Sequence, residues 1–383
     1  MKVQLRYLAV PATLLALLGC ELASGPAQAA GTIPTESGVS TSSDSWVTLP
    51  MGDLSDPANT FWELFHGVPG SSHWSLVTPP GVADNGGLIE AASASAALVG
   101  FESSALLRFS PLAESARGGS SWAPAFLPGA LASVPDALAY DTSSPGGAIA
   151  VLGGGRALLA PASFSSWSPL VTAATLRRVS PGCGADGIEG ASFLPTGVPL
   201  IATGCRQGGR VGLFTRDSAT WQNAGPTLAG SLRGAATTVL RVQSTGATTT
   251  VLVLASRGSQ RDLVAMWKNG SAPWAQAEPL AIDSRASVRS TAVNAAGDVA
   301  VLLGGTPQVA DIAPAGQWNR LPRPPARTTA VALPAGTAAS SGINIDAFTV
   351  AGGSLGVFSL TVPGDGWTKV QSSQVALAYG SSG

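Results

Sequence analysis

Seven tryptophans constrain this chain more than any other feature. Trp74, Trp122, Trp167, Trp221, Trp274, Trp318 and Trp367 are 48, 45, 54, 53, 44 and 49 residues apart, a mean of about 49. A fixed period of that size marks one supersecondary unit used repeatedly, because no single unit buries its own apolar face. The surroundings also repeat. Trp122 lies in Ser-Ser-Trp-Ala-Pro-Ala-Phe-Leu-Pro and Trp167 in Ser-Ser-Trp-Ser-Pro-Leu; Trp221 lies in Thr-Trp-Gln-Asn-Ala-Gly-Pro and Trp318 in Gln-Trp-Asn-Arg-Leu-Pro. A proline soon ends each segment, as it would at the edge or end of a strand and not in its middle. Each tryptophan is therefore expected to open the outermost strand of a small sheet.

Upstream of the tryptophans come short apolar runs split by glycines. Ala148–Leu152, Gly153–Gly155 and Ala157–Ala160 form one set; Val299–Leu303, Gly304-Gly305 and Val309–Ile312 another; Asn344–Val350, Gly352-Gly353 and Leu355–Phe358 a third. Runs of four to eight apolar residues are too short for helices and suit strands covered on both faces. Glycine supplies the positive φ of tight hairpin turns. No stretch of the exported chain shows a convincing helical stripe. Four short antiparallel strands per repeat and seven repeats predict an all-β fold, a seven-bladed β-propeller spanning residues 44–383. Six blades with an irregular N-terminal segment is the alternative. Residues 44–79 hold only three strand candidates, Trp46–Leu49, Phe61–His66 and Trp74–Val77, while Gln374–Tyr379 is a spare run at the other end. The expectation is that the N- and C-terminal strands share the first blade and close the ring, removing exposed edges.

Composition excludes several classes. Charged residues are 11% of the chain, against roughly 25% in ordinary soluble proteins, and the formal net charge is −1. With 45% hydrophobic residues the chain is no disordered tail. A polybasic nucleic-acid binder is excluded as well, so no nucleic-acid partner is expected.

The first residues read as an export signal. Lys2 and Arg6 precede an apolar run of 11 residues, Leu8–Leu18, short of the roughly 20 that span a bilayer. The run ends in Leu17-Leu18-Gly19-Cys20, which resembles the bacterial lipobox; the resemblance implies a signal peptide over 1–19 and a diacylated (palmitate-bearing) Cys20 as the mature N-terminus. The alternative is ordinary cleavage after Ala27-Gln28-Ala29, giving a secreted protein. One acyl chain holds weakly and two hold stably. Residues 20–43, small and polar after the cysteine, read as a tether. Location on the extracytoplasmic face of the cell membrane follows. Cys183 and Cys205, the two remaining cysteines, are expected to pair in that oxidising compartment, the alternative being two buried thiols.

The chain also resembles known propeller families in part. The double glycine followed 13 or 14 residues later by tryptophan (Gly305 to Trp318, Gly353 to Trp367) is similar to a kelch blade, without the kelch tyrosine. Asn269-Gly-Ser-Ala-Pro-Trp274 and Ser115–Trp122 resemble degenerate Asp boxes of sialidase-type propellers. Over nearly its whole length the chain resembles uncharacterised exported propeller lipoproteins of high-GC bacteria, a resemblance that implies no activity.

No chemistry-bearing motif is strong. His66 and His73, seven apart, fit no familiar ligand pattern, and Asp53, Asp56 and Asn59 read as turn residues around Pro57; no metal site is expected. Gly352-Gly-Ser354-Leu-Gly356 fits the nucleophile-elbow pattern but sits between two strand runs, so it reads as a hairpin. No P-loop or dinucleotide fingerprint occurs, and no cofactor is implied. Asn269-Gly270-Ser271 reads as a turn. Polar residues at the starts of inner strands, Asp84, Asn85, Asp136, Asp186, Arg285, Arg289 and Arg327, with Arg178 on the connection after Trp167, are the candidate binding mouth. No catalytic residue is assigned. The reading is an envelope scaffold that binds an unknown protein or glycan; a sialidase-like or other glycoside hydrolase is the alternative.

Overall fold

A computed structural model describes residues 36–40, 44–52, 60–67, 70–71, 73–78, 88–92, 96–101, 110–116, 124–131, 133, 135–141, 146–153, 155–245, 247–314, 316–335 and 342–375. Among the described residues, seven antiparallel units of four strands follow one another in chain order, the fourth strand of the fifth unit being split into two short pieces. Sheet 1 holds β1 (Glu36–Ser40), β2 (Ser45–Gly52), β3 (Thr60–Gly67) and β4 (Trp74–Leu76); sheet 2 holds β5 (Leu88–Ala92), β6 (Ala96–Phe101), β7 (Ser110–Ala116) and β8 (Pro124–Leu131). Sheet 3 holds β9 (Ala137–Tyr140), β10 (Ala148–Leu152), β11 (Arg156–Ala160) and β12 (Ser168–Thr172). Sheet 4, after helix α1 (Ala173–Val179), holds β13 (Gly190–Phe193), β14 (Pro199–Thr203), β15 (Gly212–Asp217) and β16 (Thr220–Asn223). Sheet 5 holds β17 (Ala236–Thr245), β18 (Thr248–Arg257), β19 (Gln260–Asn269) and the short pieces β20 (Ala275–Gln276) and β21 (Leu280–Ile282), both paired with β19. Sheet 6 holds β22 (Val288–Val293), β23 (Val299–Leu303), β24 (Gln308–Ile312) and β25 (Asn319–Arg320), and sheet 7 holds β26 (Thr328–Ala332), β27 (Ile343–Ala351), β28 (Ser354–Val362) and β29 (Thr368–Gln374). This is a β-propeller.

The core is divided among the junctions between sheets. Each middle strand sends alternate residues to its two neighbours, because side chains alternate across a sheet. In β23, Val299, Val301 and Leu303 pack with Leu252, Leu263 and Trp267 of sheet 5, while Ala300 and Leu302 pack with Val331 and Ile345 of sheet 7. In β18, Leu252 and Leu254 face sheet 6, and Val251, Val253 and Ala255 face Leu200 and Leu213 of sheet 4. The unbroken apolar runs of the sequence are the consequence: both faces of these strands are covered. Each such buried side chain stabilises the fold by roughly 1.5–3 kcal/mol.

Where described, the tryptophans sit as expected. Trp74 and Trp221 lie in β4 and β16, and Trp167, Trp274, Trp318 and Trp367 stand immediately before, or in the turn leading to, the fourth strand of their sheets. Trp122 lies outside the described residues. Two indoles tie a sheet to the one before it: Trp274 Nε1 donates to Ala224 O at 3.0 Å and Trp367 Nε1 to Pro322 O at 3.0 Å. The glycine runs at 153–155, 304–305 and 352–353 fall on the turns between second and third strands. Gly305 (φ 89°) and Gly352 (φ 59°) occupy the left-handed region that those turns require. The Gly352–Gly356 pattern is thus a hairpin.

Sheet 1 differs from expectation. Its innermost strand is β1, from the stretch read as tether, and not the C-terminal run. β1 pairs antiparallel with β2 and parallel with β22, which joins two four-stranded units into one eight-stranded sheet. Gln374 ends β29 in sheet 7, and 376–379 lie outside the described residues, as do the signal peptide, Cys20, Asp53, Asp56 and Asn59. The reason is physical: Glu-Ser-Gly-Val-Ser has no apolar alternation, and main-chain pairing on both edges is what composition does not report.

Sheet 7 packs directly on sheet 1. Val47, Leu49, Phe65 and Trp74 meet Phe348, Val350 and Val357. Trp74 Nε1 donates to Asp346 Oδ2 at 2.8 Å, Trp74 N to Gln371 Oε1 at 2.8 Å, and Gln371 Nε2 to Trp74 O at 2.9 Å. Ala335 N donates to Ser45 Oγ at 2.6 Å, and Gly52 N to Gly352 O at 3.0 Å. Nearby, His66 Nε2 lies 3.0 Å from Asp44 Oδ1 and its ring packs tilted against Trp46, with centroids 4.4 Å apart, all three buried; His73 is exposed. The packing reading of the histidines is the one observed for His66.

Candidate binding face

In an up-and-down sheet the turn between second and third strands lies at the same end as the connection to the next sheet's first strand. Antiparallel pairing therefore gathers two sets of loops at one end of the propeller, here called the connecting end. The tryptophans mark the opposite end, where the fourth strands begin.

The longest connection is the best braced. Helix α1 starts at Thr172, whose Oγ1 accepts from Thr175 N at 3.3 Å. Ala173 and Leu176 face inward, and Arg177 and Arg178 lie in the last turn, where the helix dipole favours cations. Arg177 Nε donates to Ala185 O at 2.7 Å. The predicted disulfide joins Cys183 on this connection to Cys205 on the β14–β15 turn, and both sulfurs are buried. Cys205 and Thr237 exchange backbone hydrogen bonds of 2.9 and 2.7 Å, which carries the brace into sheet 5. Closing a loop of separation 22 contributes roughly 2–4 kcal/mol. Asp186 forms an exposed ion pair with Arg206 beside it.

Glu189 sits just before β13. Its Oε2 accepts from Val239 N of sheet 5 at 2.6 Å. Burial pushes its carboxyl up to about 7, Asp186's charge adds to this, and the Val239 hydrogen bond opposes it. Gly204 must be glycine here: a Cβ would stand 2.5 Å from Glu189 Oε1 and 2.8 Å from Thr237 O.

A cleft of about 390 Å³ lies between sheets 5 and 6 at the same end. Asp283, Arg285, Gln308 and Arg320 supply its polar walls, with Gly304 and Gly305 in its floor. Arg320 is fixed across it, donating to Gln308 Oε1 at 2.7 Å and to Ala281 O at 2.7 Å. Asp283 Oδ1 accepts from Arg285 N at 2.7 Å, shaping the connection. Arg289 lies over Gly304, where a Cβ would come 2.5 Å from its Nε. One guanidinium held by hydrogen bonds, that of Arg320, and a second, exposed one, that of Arg285, suit a small, oxygen-rich ligand.

Arg285 lines the cleft, and Arg289 lies beside it against Gly304. Asp186 and Arg178 share the braced connection. Asp136 precedes β9, its N–H donating to Val151 O at 2.7 Å and its carboxyl raised by burial. Arg327 precedes β26 with φ 67°, a strained value for a side-chain-bearing residue. These residues occupy one end of the ring on separate sheets and do not converge on one pocket. Asp84 and Asn85 lie outside the described residues. Arg206, Gln308, Arg320 and Glu189 were not anticipated. The signal for the first two was the turn between second and third strands, which topology places beside the connections already singled out. Among the described residues no three His, Cys, Asp or Glu side chains converge as a metal site.

No protein-family model matches the chain, and no curated protein matches it in sequence. Solved structures match in shape. A crystal structure of a Lactobacillus plantarum protein is 9% identical, with a TM-score of 0.50 over 87% of this chain and 96% of that one. YCF48 bound to a D1 peptide is 14% identical, with a TM-score of 0.45 over 79% and 88%. The β-propeller domain of the Trilobed protease from Pyrococcus furiosus is 6% identical, with a TM-score of 0.42 over 90% and 97%. At 9% identity the likeness to the Lactobacillus plantarum protein is one of fold.

Proposed function

We propose that the protein is a binding scaffold held on the extracytoplasmic face of the cell membrane by lipid on Cys20, with the connecting end of its propeller as the face that meets an anionic partner, an envelope protein or a glycan. The observation that supports this reading is the cleft walled by Arg285, Arg320 and Gln308 at that end, with Arg320 held by Gln308 and Ala281 and the sheets packed on both faces. Rigid walls lower the ordering cost of binding. The test has two arms. Cys20→Ala is expected to move the protein from the membrane fraction to the medium; retention after a salt wash would remove the anchor. Photo-cross-linkers at Thr306 and Gln308 are expected to yield adducts with an envelope protein or glycan, and one at Ala272, at the opposite end, is not. Equal labelling from both ends would remove the binding face.

One observation favours the glycoside-hydrolase alternative: Glu189, with its carboxyl near 7, is suited to donate a proton at neutral pH. Turnover of fluorogenic glycosides that disappears in Glu189→Gln would support it, and no turnover by the wild type would end it.

A further inference from the structure

The charge of this nearly neutral chain is sorted between the two ends of the propeller. The connection before sheet 5 and the β18–β19 turn carry Arg233 and Arg257, the connection before sheet 6 carries Arg285, and the one before sheet 7 carries Arg323 and Arg327, all exposed. With Arg206 on the β14–β15 turn, arginine projects from sheets 4 to 7 at this end. The carboxylates described there are Asp136, Asp186, Glu189, Asp262 and Asp283. Asp186 is paired with Arg206, Asp262 accepts from Gln260 Nε2 at 2.8 Å, and Glu189 and Asp283 accept backbone amides. The opposite end of sheets 4 to 7 mixes, among the described residues, Lys268 and Lys369 with Asp298 and Asp365.

The chain also enters at the arginine end. β1 runs parallel to β22, with Glu36 in register with Thr291 and Val39 with Val293, so its N-terminal end points toward the end at which β22 starts, the end of Arg285 and Arg289. Residues 21–35 separate β1 from Cys20, a stretch that even fully extended spans no more than about 55 Å. We infer that the arginine end docks on the anionic headgroups of the membrane to which Cys20 holds the protein, so that the opposite end faces outward. The inference rests on the anchored-scaffold reading and gives its binding face lipid headgroups in place of an envelope protein or glycan, so adducts from Thr306 and Gln308 with a protein or glycan and with no lipid would overturn it while leaving that reading intact. Arginines within a Debye length of an anionic surface, roughly 8 Å at physiological salt, are attracted to it; a second, electrostatic signal adds to an acyl anchor.

The experiment uses the exported chain carrying Cys20→Ala, sedimented with vesicles of phosphatidylglycerol or of phosphatidylcholine. Expected is binding to the anionic vesicles alone, released by raised salt. The triple variant Arg233→Glu, Arg285→Glu, Arg323→Glu is expected to bind at least tenfold more weakly, while Lys268→Glu, Lys369→Glu binds as the parent does. Equal binding to both vesicle types, an unaffected triple variant, or retention on a soluble polyanion without vesicle binding would overturn the inference. Salt-resistant membrane retention of the wild type, measured separately, reports on the lipid at Cys20 and not on the arginines.

Discussion

The junction between sheets 5 and 6 and the seam between sheets 7 and 1 are built differently. The first is an apolar interface of Leu252, Leu263, Val299 and Val301, with an indole bond from Trp267 Nε1 to Gly297 O at 2.7 Å and, at its exposed rim, a bond from Arg320 to Ala281 O at 2.7 Å. The second has a comparable apolar cluster and adds directional bonds: Trp74 to Asp346, Trp74 to Gln371 in both directions, and Ala335 to Ser45. Sheets 5 and 6 are joined by a short connection, whose effective concentration favours their packing. Sheets 7 and 1 come from opposite ends of the chain. Hydrogen bonds with strict geometry fix the register there that a linker fixes elsewhere. Their cost is a buried carboxylate: Asp346, whose carboxyl is pushed up to about 6 by burial against the opposing bonds from Trp74 and Ser359, and whose Oδ1 has no partner.

The contrast can be broken at either side. Leu252→Ala at the apolar junction is expected to cost about 2–5 kcal/mol of unfolding free energy in a denaturant titration, with no change in its pH dependence. Replacing Cys183 and Cys205 with alanine removes a third kind of fastening, a covalent one, and is expected to cost roughly 2–4 kcal/mol. At the seam the signature is pH. Asp346 has a folded value above the unfolded one, so the folded state binds its proton more tightly. Stability therefore rises as pH falls from about 7 toward 4, and falls as pH rises through about 6. Asp346→Asn is expected to gain up to about 2–3 kcal/mol over the wild type at neutral pH and nothing near pH 4. Asp311, also near 6, and Glu189, near 7, contribute slopes of the same sign in both proteins, so the difference between the two curves isolates the seam. Arg206→Ala, which removes only an exposed, solvent-screened ion pair, is expected to leave the denaturant midpoint almost unchanged.

Much of this architecture is legible in the residues themselves. The tryptophan period marks the start of the fourth strand, since the same side chain does the same packing in each sheet. Val299–Leu303 and Ala148–Leu152 announce strands covered on both faces, and the glycine doublets announce the hairpins. Two elements leave no such trace. Helix α1 has seven residues and buries only Ala173 and Leu176, less than a stripe can be read from. β1 is held by main-chain bonds, which any composition can make. The candidate face was half legible. Arg285 and Arg289 are visible in the sequence as charges at or just before the start of an inner strand, and of the two Arg285 lines the cleft. Arg320 and Gln308 reach the same cleft from strands distant in the repeat, and only the pairing of β24 with β25 brings them together.

The account depends on sheet 7 closing on sheet 1 through Trp74 and Asp346, 272 residues apart. A double-mutant cycle on Trp74→Phe and Asp346→Ala measures that contact directly. The predicted result is a double variant less destabilised than the two single losses combined, by about 1 kcal/mol or more. Losses that add to within about 0.3–0.5 kcal/mol would contradict it, because residues that do not touch behave independently.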